Sequence, residues 1–159
     1  MMFEYPAVGF HFLVTFQLLP QTQNDFRFQE VSGLDVEMEM ETYIEGGQNR
    51  FAWQLPKRTR YSDIILKRGL FTGSGIILWC RDALENFNFS PTNITITLLN
   101  ELHIPLQAWY VVNAIPKKWS ISGFNAQESS IVVESITLSY QYFNVISVDT
   151  AVTGVISAL

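Results

Sequence analysis

The sequence has one cysteine, two histidines and few charged residues. Cys80 alone cannot form an intramolecular disulfide or a thiolate metal cluster, and its apolar, helix-like surroundings predict a buried thiol. His11 and His103 have no Asp or Glu at the spacing of metal ligands, so we expect no metal site at either. Charged residues make up 16% of the chain, whereas soluble domains typically contain about 25%. The chain therefore offers little material for metal or covalent chemistry.

Basic residues are also scarce. Ten Lys and Arg against 15 Asp and Glu give a net charge of -5, and the pI is near 4.9. A dedicated nucleic-acid-binding protein needs a basic surface, so this class is disfavoured. The N-terminal segment carries Glu4 before its apolar residues and breaks at Pro6 and Gly9, which does not match a secretory signal peptide. No apolar run approaches the length of a transmembrane helix, so we expect no direct membrane insertion.

Catalytic motifs are missing as well. The G-x-S-x-G elbow of serine hydrolases does not occur, and the "GSG" at Gly73 to Gly75 lacks the third glycine and the Lys-Ser/Thr of a phosphate-binding loop. No nucleophile, base and orienting group can be assembled from the sequence. We therefore predict no enzyme, no catalytic residue and no cofactor.

Apolar residues are abundant, at 48% of the chain, with 14% aromatic residues and a mean hydropathy of +0.14. A length of 159 residues is typical of a single domain, which we assign to residues 1–159. A monomer this size has difficulty covering so much apolar surface with so few charges. The composition therefore favours self-assembly.

Alternation with period 2 runs through most of the chain. Phe10, Phe12, Val14 and Phe16 predict a strand with one buried face, and Ile136 and Leu138 predict another whose apolar side faces the core. Only one segment has helical spacing, and we predict that helix from an N-cap at Ser74 onward, with the following apolar residues on its inner side: Ile76, Cys80, Ala83, Leu84 and Phe87. About seven strands and one helix indicate a mainly β fold, an antiparallel barrel or sandwich with a flanking helix.

A row of carboxylates, Asp35, Glu37, Glu39 and Glu41, occupies every second position of one predicted strand. Such neighbours lie about 7 Å apart along a line, so they do not converge on a cation or face each other across a sugar. The row is either a solvated strand face, or a face that lines a water-filled space or meets basic groups of a neighbouring subunit.

A basic cluster follows this row and contains Lys57, Arg58, Arg60, Lys67 and Arg68. It is either solvated surface or one half of a head-to-tail contact, in which each subunit presents one charge sign to the next. Contacts of the second kind close into rings or continue as filaments.

Several segments together resemble the tail tube proteins of contractile phages and of phage-derived contractile injection systems. They are "YPAVGFHFLVTF", "FQEVSGLDVEMEMETYIEGG", "LPKRTRYSDIILKRG", Trp79 in the predicted helix, "ITITLLNE", "AWYVVNAIPKKW" and "SSIVVESITLSYQYF", in the order of the family and across residues 5 to 146. Departures include Lys57 where the family commonly has glycine, Ile115 in place of a tryptophan, and a longer "LLPQTQND" after the first strand.

The resemblance implies a β-barrel subunit that forms hexameric rings, which stack into a rigid tube inside a contractile sheath. It implies a lumen-facing role for the acidic row, an N-terminal arm over residues 1–9, a long inter-subunit loop over residues 45–59 and a C-terminal extension over residues 147–159. The residues that we expect at subunit interfaces on this basis are Glu45, Gly46, Gly47, Lys57, Arg58, Lys67 and Arg68.

Implied partners are further copies of the chain, the sheath protein, the baseplate hub or spike and other tube proteins, with an effector protein or DNA as cargo in the lumen. The protein would be made in the bacterial cytoplasm without a signal peptide and become part of a phage tail or an extracellular injection particle. Two roles stay open, the trunk of the tube and its baseplate-proximal initiator. The alternative from another class is a monomeric β-barrel that binds a small apolar ligand.

Overall fold

The computed structural model describes residues 11–17, 27–69, 74–123 and 132–147. The expectations for the N-terminal arm, for the "LLPQTQND" insertion and for the C-terminal extension beyond residue 147 lie outside the described residues. Within them the chain is mainly antiparallel β with one helix, as the sequence predicts. The ten strands and the helix are β1 (His11–Phe16), β2 (Arg27–Phe28), β3 (Glu30–Ser32), β4 (Val36–Tyr43), β5 (Trp53–Tyr61), β6 (Ile64–Gly69), α1 (Gly75–Asn86), β7 (Thr92–Leu99), β8 (Pro105–Ile121), β9 (Val133–Ser139) and β10 (Tyr142–Ser147).

Eight of the strands form one sheet in the order β2-β1-β7-β8-β9-β6-β3, with β10 paired to β8. The first and last strands of this order, β2 and β3, are consecutive in the chain, and the N–H of Gln29 between them donates to the carbonyl of Lys67 on β6. Residues 27–32 thus form one bent strand, whose first half pairs with β1 and whose second half pairs with β6. The sheet closes on itself as a barrel, which removes two exposed edges.

The core is built by alternate residues of the central strands. β6, β7 and β9 all show the burial pattern of one inward and one outward face, and Ile64, Ile94 and Leu138 are fully buried. These side chains belong to one contiguous apolar cluster inside the barrel. The predicted inward position of Leu138 is therefore confirmed.

Helix α1 starts where the sequence predicts, because the Ser74 hydroxyl accepts a hydrogen bond from the N–H of Ile76 as an N-cap. Ile76, Cys80 and Ala83 are buried against the barrel, but Leu84 and Phe87 are exposed. The helix also buries Trp79, whose indole N–H donates to the carbonyl of Ser90. At 12 residues it is short, and among the described residues no helix combines the length and apolarity needed to cross a membrane.

Three predicted elements differ in extent. Residues 53–59, expected within a long loop, belong to strand β5. The predicted strand "QAWYVVNAI" is part of the longer β8, whose 17 residues pair with β7 and β10 along the first half and with β9 along the second. The last predicted strand is interrupted at residues 140–141 and gives β9 and β10.

Candidate assembly surface

A two-stranded hairpin, β4 and β5, stands apart from the barrel as its own sheet. An eight-residue strand at roughly 3.4 Å per residue makes it about 27 Å long. Nearly all residues of both strands are exposed. The hairpin holds Glu37, Glu39 and Glu41 of the acidic row, most of the basic cluster and the "EGG" segment, so most of the predicted assembly residues lie in this one element.

The base of the hairpin is fixed to the barrel by close backbone packing at Gly33. This residue has φ +85°, and a Cβ atom there would lie 1.9 Å from the carbonyl oxygen of Asp63. Only glycine satisfies both the left-handed conformation and the approach of the second chain segment. The glycine of the "VSGL" turn therefore sets where β4 leaves the barrel.

Polar groups secure the same base. The Ser62 hydroxyl donates to the Asp35 carboxylate, and the Tyr140 hydroxyl donates to the carbonyl of Ser62 at 2.6 Å. Tyr140 also packs its ring near those of Tyr61 and Phe143. Burial, and then the negative charges of the nearby carboxylates, raise the pKa of Tyr140 to about 12. Asp35, the first residue of the acidic row, thus helps to fix the base of the hairpin to the barrel.

The two strands of the hairpin lie in register with one irregularity. Glu37 faces Arg60 and Glu39 faces Arg58, but the next residue of β4, Met40, faces Pro56. The extra residue, Lys57, forms a β-bulge. A bulge suits this position because Pro56 has no N–H to donate to the ladder. Lys57 is also the residue that replaces the glycine common at this position in the family that the sequence resembles.

One side of the hairpin, which we call the charged face, carries Glu37, Glu39, Glu41, Arg58 and Arg60, with Leu55 opposite Glu41 and the Tyr43–Trp53 pair toward the tip. In antiparallel strands directly opposed residues point to the same side, so the arginines of β5 lie among the carboxylates of β4. Arg58 Nε lies 3.9 Å from Glu39 Oε2, and both side chains contact solvent. Three carboxylates and two guanidinium groups leave this face with a charge of about -1 at neutral pH. The row is therefore not a purely acidic surface.

The opposite side, which we call the apolar face, carries Val36, Met38, Met40 and Pro56, with Thr59 opposite Met38 and the Thr42–Gln54 pair toward the tip. Val36, Met38 and Met40 are 51%, 47% and 48% exposed. At the barrel end this face continues into Tyr61, whose ring lies 5.1 Å from that of Phe143 in the core. An apolar strip of this kind, continuous with the core but uncovered in the isolated subunit, is typical of a surface that a partner covers.

The tip of the hairpin contains Glu45, Gly46 and Gly47. Glu45 accepts a hydrogen bond from the Trp53 indole N–H, and the Trp53 ring packs against Phe51 at 5.1 Å. Gly47 has φ +90°, so glycine suits the turn there, whereas a side chain at Gly46 would meet open space. Ile44, Phe51 and Trp53 are about half exposed or more. The tip thus exposes several large apolar side chains to solvent.

Lys67 and Arg68 lie on β6, away from the hairpin, and point to opposite sides of the strand. Lys67 is partly exposed, and its Nζ lies 4.0 Å from Glu30 on the neighbouring strand. Arg68 is 3% exposed, and its guanidinium donates to Glu134 at 3.0 Å and to Ser74 at 2.9 Å. Arg68 is thus held inside the subunit, which differs from its expected place at an interface, because alternation puts it on the same inward side as Ile64 and Leu66.

The buried pair connects several elements. Glu134, fully buried on β9, also accepts a hydrogen bond from the Trp119 indole at 2.7 Å, and the Arg68 guanidinium lies 4.8 Å from the centre of the Phe28 ring. Arg68 reaches the N-cap of α1 through Ser74. The network therefore joins the barrel to the start of the helix. Burial is also the main cause that raises the pKa of Cys80 to about 12, which keeps that thiol protonated and unreactive.

Sequence reasoning missed the apolar face and the aromatic residues of the tip. Strand alternation places Val36, Met38 and Met40 opposite the acidic row, and because the hairpin lies off the barrel both of its faces are open. Phe51 and Trp53 were counted as loop. Across the described residues, no group of three or more His, Cys, Asp or Glu is arranged to hold a metal ion.

The family model for the T4-like virus tail tube protein gp19 matches residues 8–144. Comparison with curated protein sequences gave no match.

Among solved structures, the chain is similar to a chain of the anti-feeding prophage (AFP) baseplate, 6-fold symmetrised, with 27% identity and a TM-score of 0.76 over 92% of this chain and 99% of the other. It is also similar to a chain of the sheath-tube complex of the extracellular contractile injection system PVC in its extended state, with 28% identity, a TM-score of 0.72, and coverage of 91% and 94%. A chain of the AFP tube terminating cap shows 26% identity, a TM-score of 0.71, and coverage of 92% and 95%.

Proposed function

The chain belongs to the T4-like virus tail tube protein family, and from this premise we propose that it is a structural subunit of the rigid inner tube of a contractile tail or injection system. The subunits form hexameric rings, which stack into a hollow conduit inside a contractile sheath. The observation that carries the proposal is the hairpin of β4 and β5, which leaves the barrel with an uncovered apolar face. In a monomeric protein this apolar face would stay exposed to water.

The two faces of the hairpin suggest how it is oriented in the ring. The apolar face gains free energy only when another surface covers it, whereas the charged face would lose the hydration of five charged groups if it were buried. We therefore propose that the apolar face packs on a neighbouring subunit and that Glu37, Glu39 and Glu41 line the lumen together with Arg58 and Arg60. Lys57 at the bulge and Glu45, Gly46 and Gly47 at the tip stay proposed interface residues, as does Lys67.

A lumen wall of this kind presents opposite charges close together. The arginines between the carboxylates offset most of the repulsion that an acidic row alone would exert on anionic cargo. This wall would hold neither strongly anionic nor strongly cationic molecules. Effector protein or DNA is accordingly the cargo class that we propose, since neither would adhere to the wall.

The proposed partners are further copies of the chain, a sheath protein, the baseplate hub or spike and other tube proteins. The similar chains come from a baseplate, a sheath-tube complex and a terminating cap, and this range supports a place within such a particle. We propose a non-catalytic role and a final location in an assembled phage tail or extracellular injection particle. The same fold would serve the trunk of the tube or its baseplate-proximal initiator.

The barrel interior argues against the monomeric ligand-binding alternative. Inward-facing side chains of β1, β6, β7, β8 and β9 form one contiguous buried cluster. A barrel that binds a small apolar molecule keeps a cavity between such side chains. The contiguous buried cluster in the described part of the barrel supports a role in which the outer surfaces and the hairpin are functional.

The test is light scattering behind a sizing column, with negative-stain images of the same fractions. The proposal predicts six-membered hollow rings or stacked tubes. Long tubes formed by the chain alone would favour the trunk, and rings that do not elongate would favour the initiator. A compact monomer at every salt concentration, which also stays monomeric when a purified baseplate is added, would contradict the proposal.

A further inference from the structure

The only two histidines of the chain, 92 positions apart in sequence, meet in the structure. His11 Nε2 lies 2.9 Å from His103 Nδ1, and the ring centroids are 4.8 Å apart at an interplanar angle of 73°. The contact follows from the sheet register. His11 begins β1 and faces Leu99 at the end of β7, so its ring lies beside the turn that joins β7 to β8.

The turn holds His103 in place. The Asn100 side-chain oxygen accepts hydrogen bonds from the N–H groups of Leu102 and Ile104, and the N–H of His103 donates to the Asn100 carbonyl at 3.0 Å. His103 itself has φ +59°, in the left-handed region that non-glycine residues adopt infrequently. A locally bonded turn thus presents this imidazole in a fixed position, and β1 presents the other.

In contrast to the expectation from sequence spacing, we propose that His11 and His103 form a binding site for a divalent transition-metal ion such as Zn²⁺, Ni²⁺ or Cu²⁺. Neutral imidazole nitrogens are common ligands of these ions. Two nitrogens bound to a tetrahedral ion at about 2.0–2.1 Å lie about 3.3 Å apart. The observed separation is 2.9 Å, so an ion that replaces the proton of this hydrogen bond requires the nitrogens to move apart by about 0.4 Å and both rings to turn until their lone pairs converge on the ion.

Among the described residues, His11 and His103 supply two ligands, and water or a group from another molecule can occupy the remaining positions of the ion. It is therefore open and exchangeable, unlike the closed four-ligand sites that stabilise small folds. A bound ion would pin the β7–β8 turn to the first residue of β1.

The test is calorimetric titration of the full chain with ZnCl₂ and, separately, with CuSO₄, together with nuclear magnetic resonance of the histidine ring nitrogens. We expect one ion per chain, with the resonances of both rings shifted at saturation. His103→Asn is the informative variant, because asparagine tolerates the left-handed conformation and the turn is kept. We expect His103→Asn and His11→Gln each to weaken binding by at least about tenfold.

Thermal unfolding without metal serves as the control, and His103→Asn should unfold at nearly the temperature of the parent chain. Metal that binds the variants as tightly as the parent would overturn the proposal, because the ion would then lie elsewhere. The absence of saturable binding to the parent would overturn it too. The outcome does not depend on tube assembly, since every measurement can be made on the unassembled subunit.

Discussion

The apolar face of the hairpin gives the sharpest prediction about assembly. We expect the double substitution Met38→Ala and Met40→Ala to weaken ring formation and leave the subunit folded. The two side chains are 47% and 48% exposed in the isolated subunit. Full burial of a side chain of this size contributes about 1.5–3 kcal/mol, so covering the exposed half contributes about 1 kcal/mol each. The pair therefore contributes about 2 kcal/mol to each subunit contact.

A loss of about 2 kcal/mol corresponds to a roughly 30-fold weaker contact, since 1.4 kcal/mol is a factor of ten. Sedimentation velocity over a concentration series would show this as a higher concentration at which rings first appear. The fold of the barrel should be retained, because the hairpin forms a separate sheet and these residues are outside the buried core. Chemical denaturation of the subunit tests that part.

The matched control is Glu41→Ala, on the same strand and next to Met40 but on the charged face. A residue facing the lumen has no neighbouring subunit to contact, so this truncation should leave the assembly concentration unchanged. If Glu41→Ala weakened assembly and the methionine variant did not, the assignment of the two faces would be reversed. If neither variant had an effect, the hairpin would not be the assembly element.

Three further predictions concern the subunit itself. Gly33→Ala should lower the free energy of unfolding by at least about 3 kcal/mol, because the added Cβ would be strained at φ +85° and would displace a backbone oxygen. The control Gly46→Ala places its Cβ in open space and should change the free energy of unfolding by less than about 0.5 kcal/mol. Equal effects of the two variants in denaturant titrations would refute the account of the hairpin base. Arg68→Met should cost about 3–5 kcal/mol by leaving its carboxylate partner buried without an ion pair, while Lys67→Met, at an exposed pair, should cost less than about 1 kcal/mol in the same assay. The pKa of Tyr140 is raised from 10.0 to about 12 in the folded chain, so the unfolded chain loses this proton first as the pH rises. The stability that this residue contributes below pH 10 should therefore decline between pH 10 and about 12. The Tyr140→Phe variant should lack this part of the decline.

The barrel was largely predictable, because burial on one face imposes a period that the sequence shows. Ile136 and Leu138 alternate with polar residues and are fully buried, and the Ser74 N-cap starts the helix. Arg68 on β6 shows the limit of a prediction from residue type alone. Arg68 was grouped with Lys67 as a charged neighbour, although its spacing from Leu66 already places it on the inward side. At this position the two-residue alternation of the strand therefore predicts burial better than the charge of the side chain does.

The hairpin was harder to predict because it is exposed on both faces. Strand β5 contains Pro56 and a bulge at Lys57, and its basic residues are typical of a solvated loop. With neither face buried, no alternation of burial distinguishes such a strand from a loop. The contact between His11 and His103 could not be predicted at all, since it depends on the register of β1 against β7.

The most direct test of the central claim is a cryo-EM reconstruction of the assembled chain at a resolution that shows side chains. We expect a six-fold hollow ring in which the β4–β5 hairpin lies against a neighbouring subunit, with Met38 and Met40 covered and Glu37 and Arg60 facing the lumen. A hairpin that projects freely from the outer surface, or an assembly without a central channel, would contradict the account.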